Sequence, residues 1–174
     1  AKRILLRFPD LYTGWERNVT RSIRWETTGV PGAKVRIDLL QDTAGGPRLL
    51  STIAASAPDT GEFAWSPAQS GIAFGTKGLR IQVSVAGSPT VVDRSQESFS
   101  VPEDGLAYYV NDRVVTGDVV TKAVGNNRNT GKAPSAPKPN PVNVLRTYSL
   151  GGGATLNVDT GTYPMIDPVA VSGS

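Results

Sequence analysis

Apolar and polar residues alternate with a period of two along much of the first hundred positions. From Ser22 to Thr27, Ile23 and Trp25 fall on one face and Arg24 and Glu26 on the other. From Lys34 to Leu40, Val35, Ile37 and Leu39 point one way, and Lys34, Arg36 and Asp38 point outward. Leu79, Ile81, Val83 and Val85 repeat the pattern against Arg80, Gln82 and Ser84. Leu49 to Ala54, the Phe63/Trp65 pair and the run Ser98 to Val101 read as further strands. Turn chemistry separates them: Val30-Pro31-Gly32-Ala33 is suited to a type II bend, Asp42 to Pro47 to a loop, and Asp59-Thr60-Gly61 to a turn. Alternation of this kind predicts antiparallel sheet with one buried face. About seven short strands at this spacing predict a β-sandwich.

The pattern changes after Val101. Pro102-Glu103-Asp104-Gly105 breaks any strand and divides the chain into residues 1–103 and 104–174. Leu106 to Val110 is a short strand, and Asp112 to Pro141 is polar and irregular. The run Ala133 to Pro141 is unsuited to helix or central strand, because proline fixes φ and donates no N–H. Val142 to Leu150 predicts one short helix with Val142, Leu145 and Tyr148 on one side, stopped by Gly151-Gly152-Gly153. Thr155 to Val158 and Pro168 to Val171 predict two strands around the turn Asp159-Thr160-Gly161. A segment this short and this rich in Pro and Gly is expected to make a poor core by itself.

Composition removes several kinds of chemistry. Cys and His are both absent from the 174 residues. There are therefore no disulfides, thiolate nucleophiles or Cys metal sites, and no Ser-His-Asp triad. The formal charge of +3 is spread along the chain, which argues against nucleic acid, since phosphate contacts need clustered cations. No apolar run approaches the roughly 18 residues of a membrane span. The start at Ala1, with no leader-like segment, reads as a mature or trimmed product.

Four sets of residues could carry function. Trp25 and Trp65 fall on apolar strand faces and read as core. Trp15 precedes the clear strands and is the candidate aromatic contact for a ligand such as a sugar. Asn111, Asp112, Asp118, Asn126, Asn127 and Asn129 form an oxygen-rich set. From it, Asp112, Asp118 and Asn126 are the candidate ligands for calcium, which takes six to eight oxygens; turn hydrogen bonding is the favoured role, since only two of the six are carboxylates and the spacing matches no EF-hand loop. Glu97, Glu103, Asp104 and Asp112 read as solvated surface rather than a catalytic pair. Asn18-Val19-Thr20 has the pattern of a glycosylation acceptor. Gly151-Gly152-Gly153 has no following Lys-Ser/Thr and is not a phosphate loop.

Two resemblances sharpen this reading. Residues 14–101 resemble the immunoglobulin-like domain of fungal cell-wall glucan-synthesis and Ser/Thr-rich GPI-anchored surface proteins, found also in bacterial secreted multidomain proteins. The resemblance rests on Ile23-Arg24-Trp25, Val35/Ile37/Leu39, Ile53-Ala54, Gly61-Glu62-Phe63-Ala64-Trp65-Ser66-Pro67, Leu79–Val83, Asp93-Arg94-Ser95 and Phe99-Ser100-Val101. Residues 106–174 resemble the capped start of bacterial secreted right-handed parallel β-helix proteins, on Tyr108-Tyr109-Val110-Asn111-Asp112, Gly117-Asp118, Val124-Gly125-Asn126-Asn127, Asn129-Thr130-Gly131, Leu145, Tyr148, Leu150 and Val158-Asp159 with Gly161-Thr162-Tyr163. Together they imply an all-β chain: an immunoglobulin-like antiparallel β-sandwich followed by a loop-rich segment like the opening of a parallel β-helix. They imply a non-catalytic extracellular structural or adhesive module of a larger secreted or surface protein. Its expected partners are a cell-surface or matrix polysaccharide or neighbouring subunits, including copies of itself. Two alternatives stand beside it: an accessory carbohydrate-binding module of a β-helix polysaccharide enzyme, and a filament subunit assembled by strand addition.

Overall fold

The computed structural model describes residues 2–9, 14–148, 150 and 154–164. The expected strand Pro168–Val171 and the helix stop at Gly151–Gly153 lie outside the described residues. The described chain is predominantly β, with antiparallel sheets. It divides into two compact units, Ala1–Pro102 and Glu103–Ser174.

In the first unit, β1 (Arg3–Phe8), β2 (Arg21–Thr28) and β5 (Glu62–Trp65) form an antiparallel sheet in the order β1-β2-β5. β3 (Lys34–Gln41), β4 (Arg48–Pro58), β6 (Leu79–Val85) and β7 (Ser88–Arg94) form another, in the order β4-β3-β6-β7. The alternating apolar positions of both sheets meet in one core: Ile23, Trp25 and Trp65 from the first, Val35, Ile37, Leu39, Ile81 and Val83 from the second. Each large apolar side chain so buried contributes about 1.5–3 kcal/mol, so this core has many redundant supports. The bend after β2 closes with Ala33 N–H donating to Val30 O at 3.2 Å, and Gly32 takes the φ of 68° that a type II turn needs.

Several details depart from the alternation. β1 and β7 are strands it does not single out: Ile4-Leu5-Leu6 is an unbroken apolar run, and β7 carries a proline, as an edge strand can. Pro67–Ser70 forms a turn of 3-10 helix after β5. Ser98–Val101 is a strap rather than a strand; Phe99 exchanges two backbone hydrogen bonds with Leu79 (2.7 and 3.0 Å), and Ser100 bridges to Gly14. Asp38, expected outward, is buried, with its carboxylate held by Arg36 Nε at 2.8 Å and Thr52 Oγ1 at 2.9 Å. β4 runs past the expected Ala54, and its pairing with β3 is interrupted by three register shifts. Such irregularities bend a strand and spoil its free edge as a template for further pairing.

The second unit is organised around β8 (Ala107–Val110), whose two edges are both used. On one edge, β9 (Thr155–Val158) pairs with it in parallel, Tyr108 opposite Leu156 and Val110 opposite Val158. On the other edge, Tyr109 N–H donates to Gly131 O at 2.7 Å, and Asn111 N–H to Lys138 O at 3.0 Å. The order is therefore Lys138 segment, β8, β9. Successive coils of a β-helix add each strand to the one before, which would put β9 beside the Lys138 segment; here the chain returns to the opposite edge of β8. Helix α1 (Pro141–Thr147) starts at Asn140, whose side chain accepts Asn143 N–H at 2.9 Å, with Pro141 in the first helical position. It ends at Thr147, short of the expected Leu150. Its buried residue is Val144, followed one turn on by Tyr148; of the expected face Val142, Leu145 and Tyr148, only Tyr148 is buried. The reason is the docking partner: Tyr148 packs on Tyr108 with ring centroids 5.2 Å apart, and Val110 completes this small core.

Candidate functional site

Trp15 is not a ligand platform. Its relative exposure is 0%, and its ring meets Trp65 edge-on at 4.9 Å and lies tilted against Phe8 and Phe99. Its indole N–H donates to Val19 O at 2.9 Å, and its backbone N–H donates to Ser100 O at 3.0 Å. The Gly14–Ser100 bridge draws this stretch onto the strap and so inserts the ring in the core. No alternation marks residues 14–20; the signal available in sequence was only that Trp is mostly buried. Trp25 is buried too, with its indole N–H on Asp59 Oδ1 at 2.7 Å. Asn18 is exposed, in the turn that follows Trp15.

The proposed calcium ligands are engaged elsewhere. Asp112 Oδ1 accepts Val114 N–H at 2.7 Å and its Oδ2 accepts Thr162 N–H at 2.9 Å. Asn126 Oδ1 accepts Arg128 N–H at 2.9 Å. Asp118 Oδ2 accepts Asn111 Nδ2 at 2.5 Å, leaving its buried Oδ1 with no hydrogen-bond partner. One remaining oxygen does not fit a cation that takes six to eight. Among the described residues no group of three metal-binding side chains converges. The oxygens of this set tie turns together, as the favoured reading expects.

The residue the alternation did not flag is Asp159. Its carboxylate accepts the backbone N–H groups of Val119 (2.8 Å), Val120 (3.0 Å), Thr121 (2.5 Å) and Thr160 (2.9 Å), and the Thr121 hydroxyl at 2.7 Å. Burial opposes ionisation, but this many donors outweigh it and hold the carboxyl far below the ordinary carboxylate range. Tyr163 donates its hydroxyl to Asp159 O at 2.9 Å. Burial, reinforced by Asp112, Asp159 and Asp118, pushes its phenol up.

No family model, curated protein or solved structure matches this chain.

These bonds turn residues 112–125 into a compact loop of the Ω kind, its ends close and its backbone fixed. Gly125 N–H donates to Asp112 O at 2.7 Å, closing the loop. Gly125 sits so close to the backbone of Asn111 and Pro139 that a Cβ would meet Asn111 O at 1.9 Å. Asn111 is fully buried behind the loop, donating to Asp118 and to Ala123 O and accepting Asp112 N–H. The outer side is different. Val114, Val115, Val119, Val120 and Val124 all expose their side chains, Val119 by 85%. Thus the amides of Val119 and Val120 are held inward by Asp159 while their side chains stand in solvent.

Behind the opposite edge of β8 lies Lys138. It is buried, and its ammonium donates to Asn127 O at 2.7 Å. Burial lowers its pKa to about 8. Lys132 caps the same unit by resting its ammonium 3.9 Å over the Tyr108 ring. Among the described residues no helix is long and apolar enough to cross a membrane.

Proposed function

We propose that the chain is a non-catalytic structural or adhesive module of a secreted or surface protein, in which the first unit is a carrier and the second presents a contact surface. The first unit fits an immunoglobulin-like sandwich: its three- and four-stranded antiparallel sheets share one core. The second unit is better described as a folded loop cluster around β8 than as the opening of a β-helix, given its strand order. The observation that carries the reading is the 112–125 loop, whose backbone is pinned by Asp112 and Asp159 while five valines face solvent. Exposed apolar groups of this kind mark interaction sites, and a fixed backbone lowers the ordering cost of binding. The carbohydrate-binding alternative loses its aromatic platform with the burial of Trp15, and the strand-addition alternative finds a bulged edge in β4.

Hydrogen exchange tests this reading. The amides of Val119, Val120 and Thr121 are expected to be protected well beyond unstructured rates. Exchange at unstructured rates would mean that the loop is not a preformed surface, and the reading would fall.

A further inference from the structure

Resting on that reading, we propose that the 112–125 loop docks on a protein partner whose apolar surface carries an acidic rim. Four charged residues lie in or at the ends of the loop's solvent-facing stretch: Asp112, Arg113, Asp118 and Lys122. They cancel in sequence but not in space. Asp112 and Asp118 turn inward, their oxygens accepting Val114 N–H, Thr162 N–H and Asn111 Nδ2. Arg113 and Lys122 are exposed beside the valines. The surface offered to a partner is therefore apolar with a cationic margin, and its complement is apolar with an anionic one. Desolvation of the loop is also inexpensive at its centre, because the amides of Val119, Val120 and Thr121 already have their acceptor in Asp159.

The same features weigh against the other occupants. Anionic membranes are entered by Trp, Phe and Leu, and positions 112–125 contain none of these. A second copy seated loop to loop would set Arg113 and Lys122 against their own duplicates, a like-charge arrangement that costs binding energy.

The test uses the whole chain and a displayed library of random peptides. Peptides selected on the wild-type chain, with the Val115→Asp/Val119→Asp variant as the counter-selection, are expected to combine Asp or Glu with Ile, Leu or Val. The charge-reversed Arg113→Glu/Lys122→Glu variant should bind them about tenfold more weakly, with the wild-type affinity falling as salt rises. Peptides of neutral or basic composition, or the loss of every wild-type binder in the counter-selection, would overturn the proposal. So would retention on phosphatidylserine-containing vesicles that the valine variant loses, which assigns the loop to lipid. A molar mass that rises with concentration in the wild type only would assign it to a second copy. Hydrogen exchange separates the two levels: a protected loop with no acidic-apolar selection sinks the partner chemistry alone, while an unprotected loop sinks the surface itself.

Discussion

The two units reach a folded state by different means. The first buries many apolar side chains from two sheets, with Trp15, Trp65, Phe99, Ile23, Ile37, Leu39 and Ile81 among those that are fully enclosed. The second has a small apolar cluster around Tyr108, Val110, Val144 and Tyr148 and depends on polar ties made by a few side chains. Apolar contacts are non-directional and share their load. Polar ties are directional, and each buried donor left without its acceptor carries a cost. The second unit should therefore be sensitive to single polar changes that the first would tolerate, while leaving its apolar side chains outside.

The largest effect should come from Trp15→Ala. Large aromatic truncations in a packed core cost about 3–5 kcal/mol, and this one removes three ring contacts at once. Denaturant unfolding followed by the fluorescence of Trp25 and Trp65 should show it in the first unit; an unchanged midpoint there would break the comparison.

Asp159→Asn should come next. The amide presents N–H groups where five donors converge, so melting of the second unit should fall by several degrees while the first is unmoved. The folded-state pKa of Asp159 is depressed, so its contribution is present above the ordinary carboxylate pKa of 3.8 and is lost as pH falls below it. Acid titration of wild type should show that loss in the second unit, and the Asn variant should lack it.

Lys138 titrates in the opposite sense. Its pKa drops from 10.5 to about 8 on folding, so between those values the unfolded chain binds more protons than the folded one. Stability of the second unit should rise with pH across that window and carry the full cost of the buried charge below it. Lys138→Met keeps the stem, removes the charge and gives up one hydrogen bond; it should stabilise by about 2 kcal/mol near neutrality and flatten the pH dependence. Thermal melts are best compared below pH 10, because the raised phenol of Tyr163 works against stability above it.

The smallest effect is expected from Val119→Asp. A side chain already in solvent should change stability by no more than about 0.5 kcal/mol, read by the same melts. A clear loss would mean that the valine packs on the protein, and that the contrast between a core-built unit and a surface-presenting one is overdrawn.

Legibility followed the same divide. Alternation located β2, β3, β5 and β6 because burial on one face of a strand imposes period two, a local rule that a sequence displays directly. It did not locate β1, where Ile4-Leu5-Leu6 is apolar on both faces, nor the bulges of β4, which come from pairing with β3. In the second unit the turn at Asp159 and the strands β8 and β9 were visible. The turn-tying role of Asp112, Asp118 and Asn126 was legible too, beside a calcium role that the same oxygen-rich pattern allows; which amides each would hold was not.

By itself, then, the sequence determined that the chain is β-rich, where its first unit gives way to a second, and that thiol and imidazole chemistry are absent, since composition and periodicity act residue by residue. Only the tertiary structure decided that Trp15 is core, that Lys138 is buried, and that Asp159 gathers the amides of residues 119–121. Those outcomes depend on segments brought together across some twenty-seven to eighty-five positions, as Lys138 to Asn111, Asp159 to Val119 and Trp15 to Ser100 are. No local pattern encodes a partner at that distance, because the hydrogen bond exists only once the fold has placed its two ends within reach.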